Sequence, residues 1–393
     1  MKPLKIKEDI YRLGSVDWDR RIFDALIPLP DGTSYNAYLI RGSEKTVLID
    51  TDDPEFKDEF MSQLEGVEKL DYLISLHAEQ DHSGCIPFVL KKYPGVKVVV
   101  TPKCKNMEMD LLHIPEERFV TVEDGGTLSL GNKTLKFIHT PWVHWPETMC
   151  AYLEEDQILF SCDFFGSHLA VSDLFVTNKE RTYDAAKRYY AEIMMPFRKI
   201  ISKNLQKVLV YDIDMIAPSH GPIYREPDLI IEAHKEWVDT PPKNLVVLPY
   251  ISMHASTRLM VVRLVESLIK NGVEVEQFNL EVTDLGKLAM MLVDAATIVI
   301  ASPTVLGGPH PAAVYAAYLV NALRPKTMFV SIMGSYGWAD RTVPVISGLI
   351  KDMKVEVLDP VLSKGAPTQE TFAAVDRLAE TIAVKHREAG IVE

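Results

Sequence analysis

The sequence predicts an α/β protein of two domains: a strand-rich α/β half, then a doubly wound, five-stranded parallel sheet. Three observations carry this. At 393 residues the chain exceeds what one hydrophobic core usually supports. In "WVDTPPKNLVV" (237–247) a helical pattern stops at paired prolines just before an apolar strand, as a short, stiff linker would. Beyond it, strand-like and helical stretches alternate regularly to the end, which implies parallel strands covered on both faces. The expected domains are residues 1–240 and 245–393.

In the first domain, "SYNAYLIRGSEKTVLIDT" reads as a hairpin around Gly42-Ser43, and a helix is expected over Tyr183–Asn204. In the second, strands are expected at Leu245–Tyr250, Val273–Phe278, Thr297–Ala301, Thr327–Ile332 and Val355–Leu358. The helices between and after them are expected at Thr257–Asn271, Asp284–Ala295, His310–Leu323, Arg341–Met353 and Thr368–Glu388. The flavodoxin-like doubly wound fold has this count.

Composition narrows the function. The content, 47% hydrophobic and 25% charged, is that of a soluble globular protein. No apolar run has the length of a membrane span, and "MKPLKIKEDIYRLG" lacks the apolar core of a secretory signal, so a cytoplasmic protein is expected. Cys85, Cys104, Cys150 and Cys162 show no CxxC spacing, which disfavours a disulfide framework, a zinc knuckle or a fused rubredoxin. A net charge of −13 argues against nucleic acid, because phosphate binding needs clustered Lys and Arg. Small molecules, or proteins with a basic face, are the partners it leaves.

The stretch "HAEQDHSG" (77–84) places four potential metal ligands directly after the apolar run "LDYLISL". Three further segments set His or Asp beside Gly or Pro, or at the end of an apolar run: "HTPWVHWPETM" (139–149), "LFSCDFFGSH" (159–168) and "IAPSHGPIY" (216–224). There, loops leave a rigid sheet and converge. His77, Glu79, Asp81, His82, His144, Asp163 and His220 are the candidate ligands, enough for two ions if one carboxylate bridges. On an extended backbone His77, Glu79 and Asp81 project to one side; His82, next to Asp81, must turn differently. A site of imidazoles alone suits zinc. Glu79 adds a charge and a harder oxygen donor, and mixed His/carboxylate ligation with an open position is what iron uses in oxygen chemistry. The other histidines, His113, His139, His168, His234, His254, His310 and His386, read as structural or surface residues, with support of the ligands as a second reading for His139 and His168. Trp145, Met149 and Phe164 are either the apolar lining of a gas pocket or plain core.

In the second domain, "SMHAST" (252–257) ends the first strand and leads into a helix. Hydroxyls and amides at a helix N-terminus suit a phosphate, although Ser256 or Thr257 as a simple cap reads equally well. No GK[ST] is present, so nucleotide triphosphate hydrolysis is disfavoured. "SPTVLGGPHP" (302–311) and "GSYGWAD" (334–340) end the third and fourth strands, at the edge where such sheets bind ligands. Gly307, Gly308, Gly334 and Gly337 let backbone approach a flat ring, and Tyr336 and Trp338 are placed to flank it. Together the loops suit flavin mononucleotide (FMN).

His-x-Glu-x-Asp-His in the first half, followed by such a sheet, resembles the flavodiiron proteins (A-type, also described as rubredoxin:oxygen oxidoreductases). "GTSYNAYLI", "HAEQDHSG", "TPWVHWPETM", "SCDFFGSH", "SHGPIYR", "SPT" and "GSYGW" are similar to family motifs, in family order. The resemblance implies a metallo-β-lactamase-like αββα domain before the flavodoxin-like one. It implies two non-haem irons: one on His77, Glu79, His144 and a bridging Asp163, the other on Asp81, Asp163 and His220, with His82 variably ligated. For FMN it implies Ser252, His254, Ala255, Ser256, Thr257, Pro303, Thr304, Val305, Leu306, Gly307, Ser335, Tyr336, Gly337, Trp338 and Ala339. The implied activity is reduction of O₂ to water, of NO to N₂O, or both. Electrons would come from a separate donor such as rubredoxin, a deazaflavin or a flavin reductase. The implied assembly is a head-to-tail homodimer or a dimer of dimers. The chain departs from the family at Ala255, where members often have Gly, at His254, where many have Trp or Tyr, and in "WDRRIFDALIPLPDGTSYN". Two other readings stand beside it: a dinuclear zinc hydrolase acting through metal-activated hydroxide, with an appended flavodoxin-like module, and an electron carrier with a vestigial metal site.

Overall fold

The computed structural model describes residues 2–392. It divides into two compact units, one of residues up to Tyr190 and Phe197–Val238, the other of Ala191–Pro196 and the chain from Asp239 onward.

The first unit contains two large sheets and a small two-stranded one, Ile22–Phe23 with Ile27–Pro28. One has seven strands in the order Leu4–Lys7, Ile10–Asp17, Thr33–Arg41, Thr46–Ile49, Tyr72–Ile74, Lys97–Val100 and Phe119–Thr121, antiparallel at the start and parallel from Thr46–Ile49 onward. The other has five: Thr127–Ser129, Thr134–His139, Met149–Leu153, Ile158–Cys162 and Met215–Pro218, with only the last pair parallel. Alternation along the strands builds the layers. Ile40, Val47, Ile49 and Ile74 pack with Phe137, Ala151, Ile158 and Phe160 of the second sheet. Their neighbours Leu39, Leu48 and Leu73 pack the other way, with Phe60, Leu64 and Val89 of helical segments. The arrangement is the αββα sandwich of metallo-β-lactamase-like folds.

The single helix expected over Tyr183–Asn204 is interrupted. A helix over Lys179–Tyr189 widens into a π-turn at Tyr190–Met194 and tightens into a 3₁₀ turn at Met195–Phe197. A new helix follows over Arg198–Val208. Pro196 accounts for the break: it has no N–H to donate and its ring would collide with the carbonyl one turn earlier.

In the second unit the strands order as Glu274–Asn279, Lys243–Tyr250, Ala295–Val305, Phe329–Tyr336 and Glu356–Val357, the 2-1-3-4-5 order of the flavodoxin-like fold. A further strand, Val361–Lys364, also pairs with Phe329–Tyr336, so the fifth strand comes in two pieces. The central Ala295–Ala301 is buried throughout, as a strand covered on both faces must be. "SPTV", expected as loop, continues this strand to Val305, then turns back so that Thr304 pairs with Pro309 and Val305 with Gly308. Leu306 and Gly307 at the tip both have positive φ, 53° and 82°, as in a type I′ hairpin turn. Among the described residues no helix is long and apolar enough to cross a membrane.

Candidate metal centre and flavin hollow

The seven candidate ligands converge at one end of the first unit. Each stands where a strand gives out. His77 follows Tyr72–Ile74, Asp163 follows Ile158–Cys162, His220 follows Met215–Pro218, and His144 lies in the turn between Thr134–His139 and Met149–Leu153. His77 and Glu79 do project to one side, with His77 Nε2 3.0 Å from Glu79 Oε2. The extended run ends there. Glu79 caps a single helical turn, Gln80–Ser83, and that turn carries Asp81 and His82 away toward His220. The expectation that Asp81 shares the side of His77 and Glu79 is therefore corrected, because the backbone curls after Glu79.

Two groups result. In the first, His144 Nε2 lies 3.2 Å from Glu79 Oε2, and Asp163 Oδ2 lies 3.3 Å from His144 Nε2 and 3.5 Å from His77 Nε2. In the second, Asp163 Oδ1 lies 3.2 Å from His82 Nε2 and 3.3 Å from His220 Nε2, while Asp81 reaches the same two nitrogens at 3.4 and 3.3 Å. Donor atoms on a common ion with bonds of about 2.1 Å stand roughly 3.0–3.4 Å apart, the edge of an octahedron or tetrahedron. The spacings agree. Asp163 presents one oxygen to each group.

The donors are also in need of cations. Both oxygens of Asp81, both of Asp163 and Nε2 of His82 are buried without a hydrogen-bond partner, which is costly for polar atoms unless something else satisfies them. Burial alone would lower the histidine pKa values. The adjacent carboxylates outweigh it, raising His144 to about 9 through Asp163 and Glu79, and His220 to about 10 through Asp163 and Asp81. His77 and His82 rise for the same reason, and Asp163 is held well below the usual carboxylate range despite its burial. The three carboxylates thus favour positive charge in their midst, whether carried by protons or by metal ions. Glu79 and His144 have side chains 11% and 15% exposed, while the other five lie at 5% or below, so the centre opens toward the first group.

The imidazoles are aimed by their other nitrogens. His77 Nδ1 meets Glu147 Oε1 at 2.6 Å, and the Ala78 N–H donates to the same oxygen. His220 Nδ1 donates to the Ser34 carbonyl at 2.8 Å. Asp50 accepts from the Leu76 N–H and from the Ser219 hydroxyl, so one carboxylate ties the residues that precede His77 and His220. Gly221, with φ of +84°, lets the chain leave His220: a Cβ there would fall 2.1 Å from Ser167 Oγ. The sequence reading passed over Glu147 and Asp50. Glu147 lies in "HTPWVHWPETM", three residues after His144, and that spacing is its signal. His168 lies beside the centre, its ring 4.9 Å from that of His220, with Nδ1 on the Thr33 hydroxyl. His139 does not; its Nε2 meets the Val122 carbonyl. Met149 is core between the sheets, whereas the Trp145 ring stands perpendicular to His77 at 5.0 Å.

In the second unit, Ser252, His254, Ser256, Thr257, Pro303, Thr304, Ser335, Tyr336 and Gly337 line one hollow at the carboxyl ends of the strands, joined by Met253 and Gly365. Ala255 caps the helix Ser256–Lys270 with φ of +68° and offers no side-chain acceptor, so neither Ser256 nor Thr257 is the cap. Instead Thr257 meets Ser335, hydroxyl to hydroxyl, at 2.9 Å. Val305, Leu306, Gly307, Trp338 and Ala339 do not line the hollow. Leu306 and Trp338 are 96% and 79% exposed, and a Cβ on Gly307 would meet Ala339 and Trp338 at 4.0 Å, so these two loop tips stand side by side.

Residues 33–221 match the model of the ODP family beta lactamase. The chain is 34% identical over 367 residues to a nitric oxide reductase of Moorella thermoacetica, covering 91% of this chain and 92% of that one. Its fold is similar to rubredoxin oxygen:oxidoreductase of Desulfovibrio gigas, with a TM-score of 0.94, 29% identity and coverage of 98% of this chain and 99% of the other. The flavodiiron protein of Giardia intestinalis is similar too, with a TM-score of 0.92, 27% identity and coverage of 99% and 98%.

Proposed function

Because the chain belongs to the flavodiiron protein family, we propose that it reduces O₂ to water, NO to N₂O, or both, at two non-haem irons supplied with electrons by FMN. The observation that carries the reading is the Asp163 carboxylate, one oxygen turned to each group of ligands. His77, Glu79 and His144 would hold one iron and Asp81, His82 and His220 the other, with Asp163 between them. Bound iron supplies open coordination positions and electrons for a diatomic gas.

The chain's own residues do the rest. Glu147 and the Ser34 carbonyl fix which imidazole nitrogen faces the metal. Burial of six of the seven residues keeps water from competing for the centre, and Trp145 gives His77 an apolar wall. Glu79 and two aspartates offset most of the charge of two divalent ions, which favours iron over an imidazole-dominated zinc site. Relatives named for reducing NO and O₂ speak against the hydrolase reading.

The hollow around Ser252, Thr257 and Ser335 would take the flavin phosphate and Tyr336 a face of the ring. Rubredoxin is the donor we favour, by analogy with the D. gigas protein. We favour a head-to-tail dimer in which the flavin of one protomer serves the irons of its partner. A forced monomer should then keep both cofactors and lose turnover.

The direct experiment is anaerobic. The protein is loaded with iron and FMN, reduced, given each gas separately, and followed for gas consumption alongside iron and flavin content. Loaded protein that consumes neither gas ends the proposal.

A further inference from the structure

Tyrosine and tryptophan rings lead away from the metal centre in two contacting sets, joined through the backbone between Tyr189 and Tyr190. Tyr189 packs against His220, ring centroids 5.9 Å apart, and against His168 at 4.8 Å. The next residue, Tyr190, lies 5.3 Å from Trp237. Trp237 is fully buried, and its ring stands 5.4 Å from Tyr183, to whose hydroxyl its Nε1–H donates at 3.2 Å. Tyr183 is half-buried, so the row starts at a ligand and ends at the surface.

Packing alone would explain such contacts, since aromatic pairs at about 4.5–7 Å are ordinary core. Two features go beyond packing. Every member is of a readily oxidised type, whereas the neighbouring Phe164–Phe165 stack is not. The Tyr183 oxygen accepts from the indole, which leaves its own O–H proton to be given to solvent.

We propose that Tyr189, Tyr190, Trp237 and Tyr183 form an escape route for oxidising equivalents left at the metal centre, emptied at the surface by a thiol. The proposal rests on the O₂-reducing reading above. When the flavin delivers fewer electrons than reduction to water requires, the missing electron is drawn from Tyr189 and replaced in turn from Tyr190, Trp237 and Tyr183. The net loss falls on Tyr183: its O–H bond breaks, the proton goes to solvent and the electron goes inward to O₂. A thiol restores the O–H bond by giving up a hydrogen atom, and two of the resulting thiyl radicals couple to a disulfide. The route spares the ligand histidines from oxidation, a competing reaction that the protein around a redox centre must suppress.

The test uses iron- and FMN-loaded protein with excess O₂ and limiting reductant, with and without glutathione. Radicals are read by freeze-quench paramagnetic resonance and oxidised residues by peptide mass spectrometry. In the wild type, a tyrosyl signal is expected, with oxidation concentrated at Tyr183 and Trp237 and suppressed by glutathione. Tyr183→Phe should move oxidation to Trp237 and abolish the protection. Trp237→Phe should move it inward, raising modification of Tyr189, Tyr190 and the ligand histidines several-fold, while the initial rate with ample reductant is unchanged. Should Trp237→Phe fail to fold, the half-buried Tyr183→Phe decides the matter alone. A pattern of oxidation that neither substitution moves overturns the route. Loaded wild type that consumes no O₂ with ample reductant overturns the functional reading instead, and the two failures are seen separately.

Discussion

Glu147 holds His77 by a 2.6 Å contact between Oε1 and the imidazole Nδ1, both side chains sealed from solvent. With Nδ1 engaged by Glu147, Nε2 is the nitrogen that would bind a metal ion, and the carboxylate would make it a stronger donor. Glu147→Gln keeps the shape and removes the charge. Metal affinity should fall about 10- to 100-fold, measured as iron retained against a graded series of chelator concentrations.

Asp163 and His82 should part company on substitution. Asp163 serves both groups of donors, so Asp163→Ala is expected to lose most of the iron from each. His82 Nε2 meets Asp81 and Asp163 Oδ1, both in the second group, so His82→Ala should weaken one iron and spare the other. Iron counted per chain after desalting distinguishes the two.

The metal-free chain should be less stable in alkali. Folding raises His144 to about 9 and His220 to about 10 from an ordinary 6.5. The stabilisation from these protonated imidazoles is complete below pH 6.5 and is lost as pH rises through about 9 to 10. Urea midpoints of metal-free protein should fall across that window. Ferrous ion or zinc added near pH 8 should displace the same protons, read as acid release in a pH-stat.

Ala255 sits at φ of +68°, a region that costs a residue with a Cβ about 1–2 kcal/mol. Ala255→Gly removes that strain at some cost in chain entropy, so a gain of about 1 kcal/mol is expected. Denaturant unfolding of the flavin-free protein should show a higher midpoint at constant slope.

What the sequence disclosed follows how far each signal depends on contacts distant along the chain. Strands whose burial alternates or runs unbroken were legible, as in Leu39–Ile40 and Thr297–Ala301, because neighbouring residues carry the pattern. His77 and Glu79 were legible together because two-residue spacing on extended backbone has one outcome. The curl after Glu79 was not: Gln80–Ser83 is one turn, too short for a periodic signal. The break at Tyr190–Phe197 has Pro196 as its one local signal, and the helix formers on either side mask it. Asp50 and the Ser34 carbonyl support ligands far along the chain, and nothing local marks a residue for that duty. The positive φ of Leu306 had no signal in its side chain; the Gly-Gly after it was the hint of a tight reversal.

Glu79 and His144 are the most exposed of the seven candidate side chains, at 11% and 15%. An ion seated with them would lie nearer solvent than one seated with Asp81, His82 and His220. Two berths of unequal depth should then empty at unequal speeds, the shallower one first, when a chelator is added.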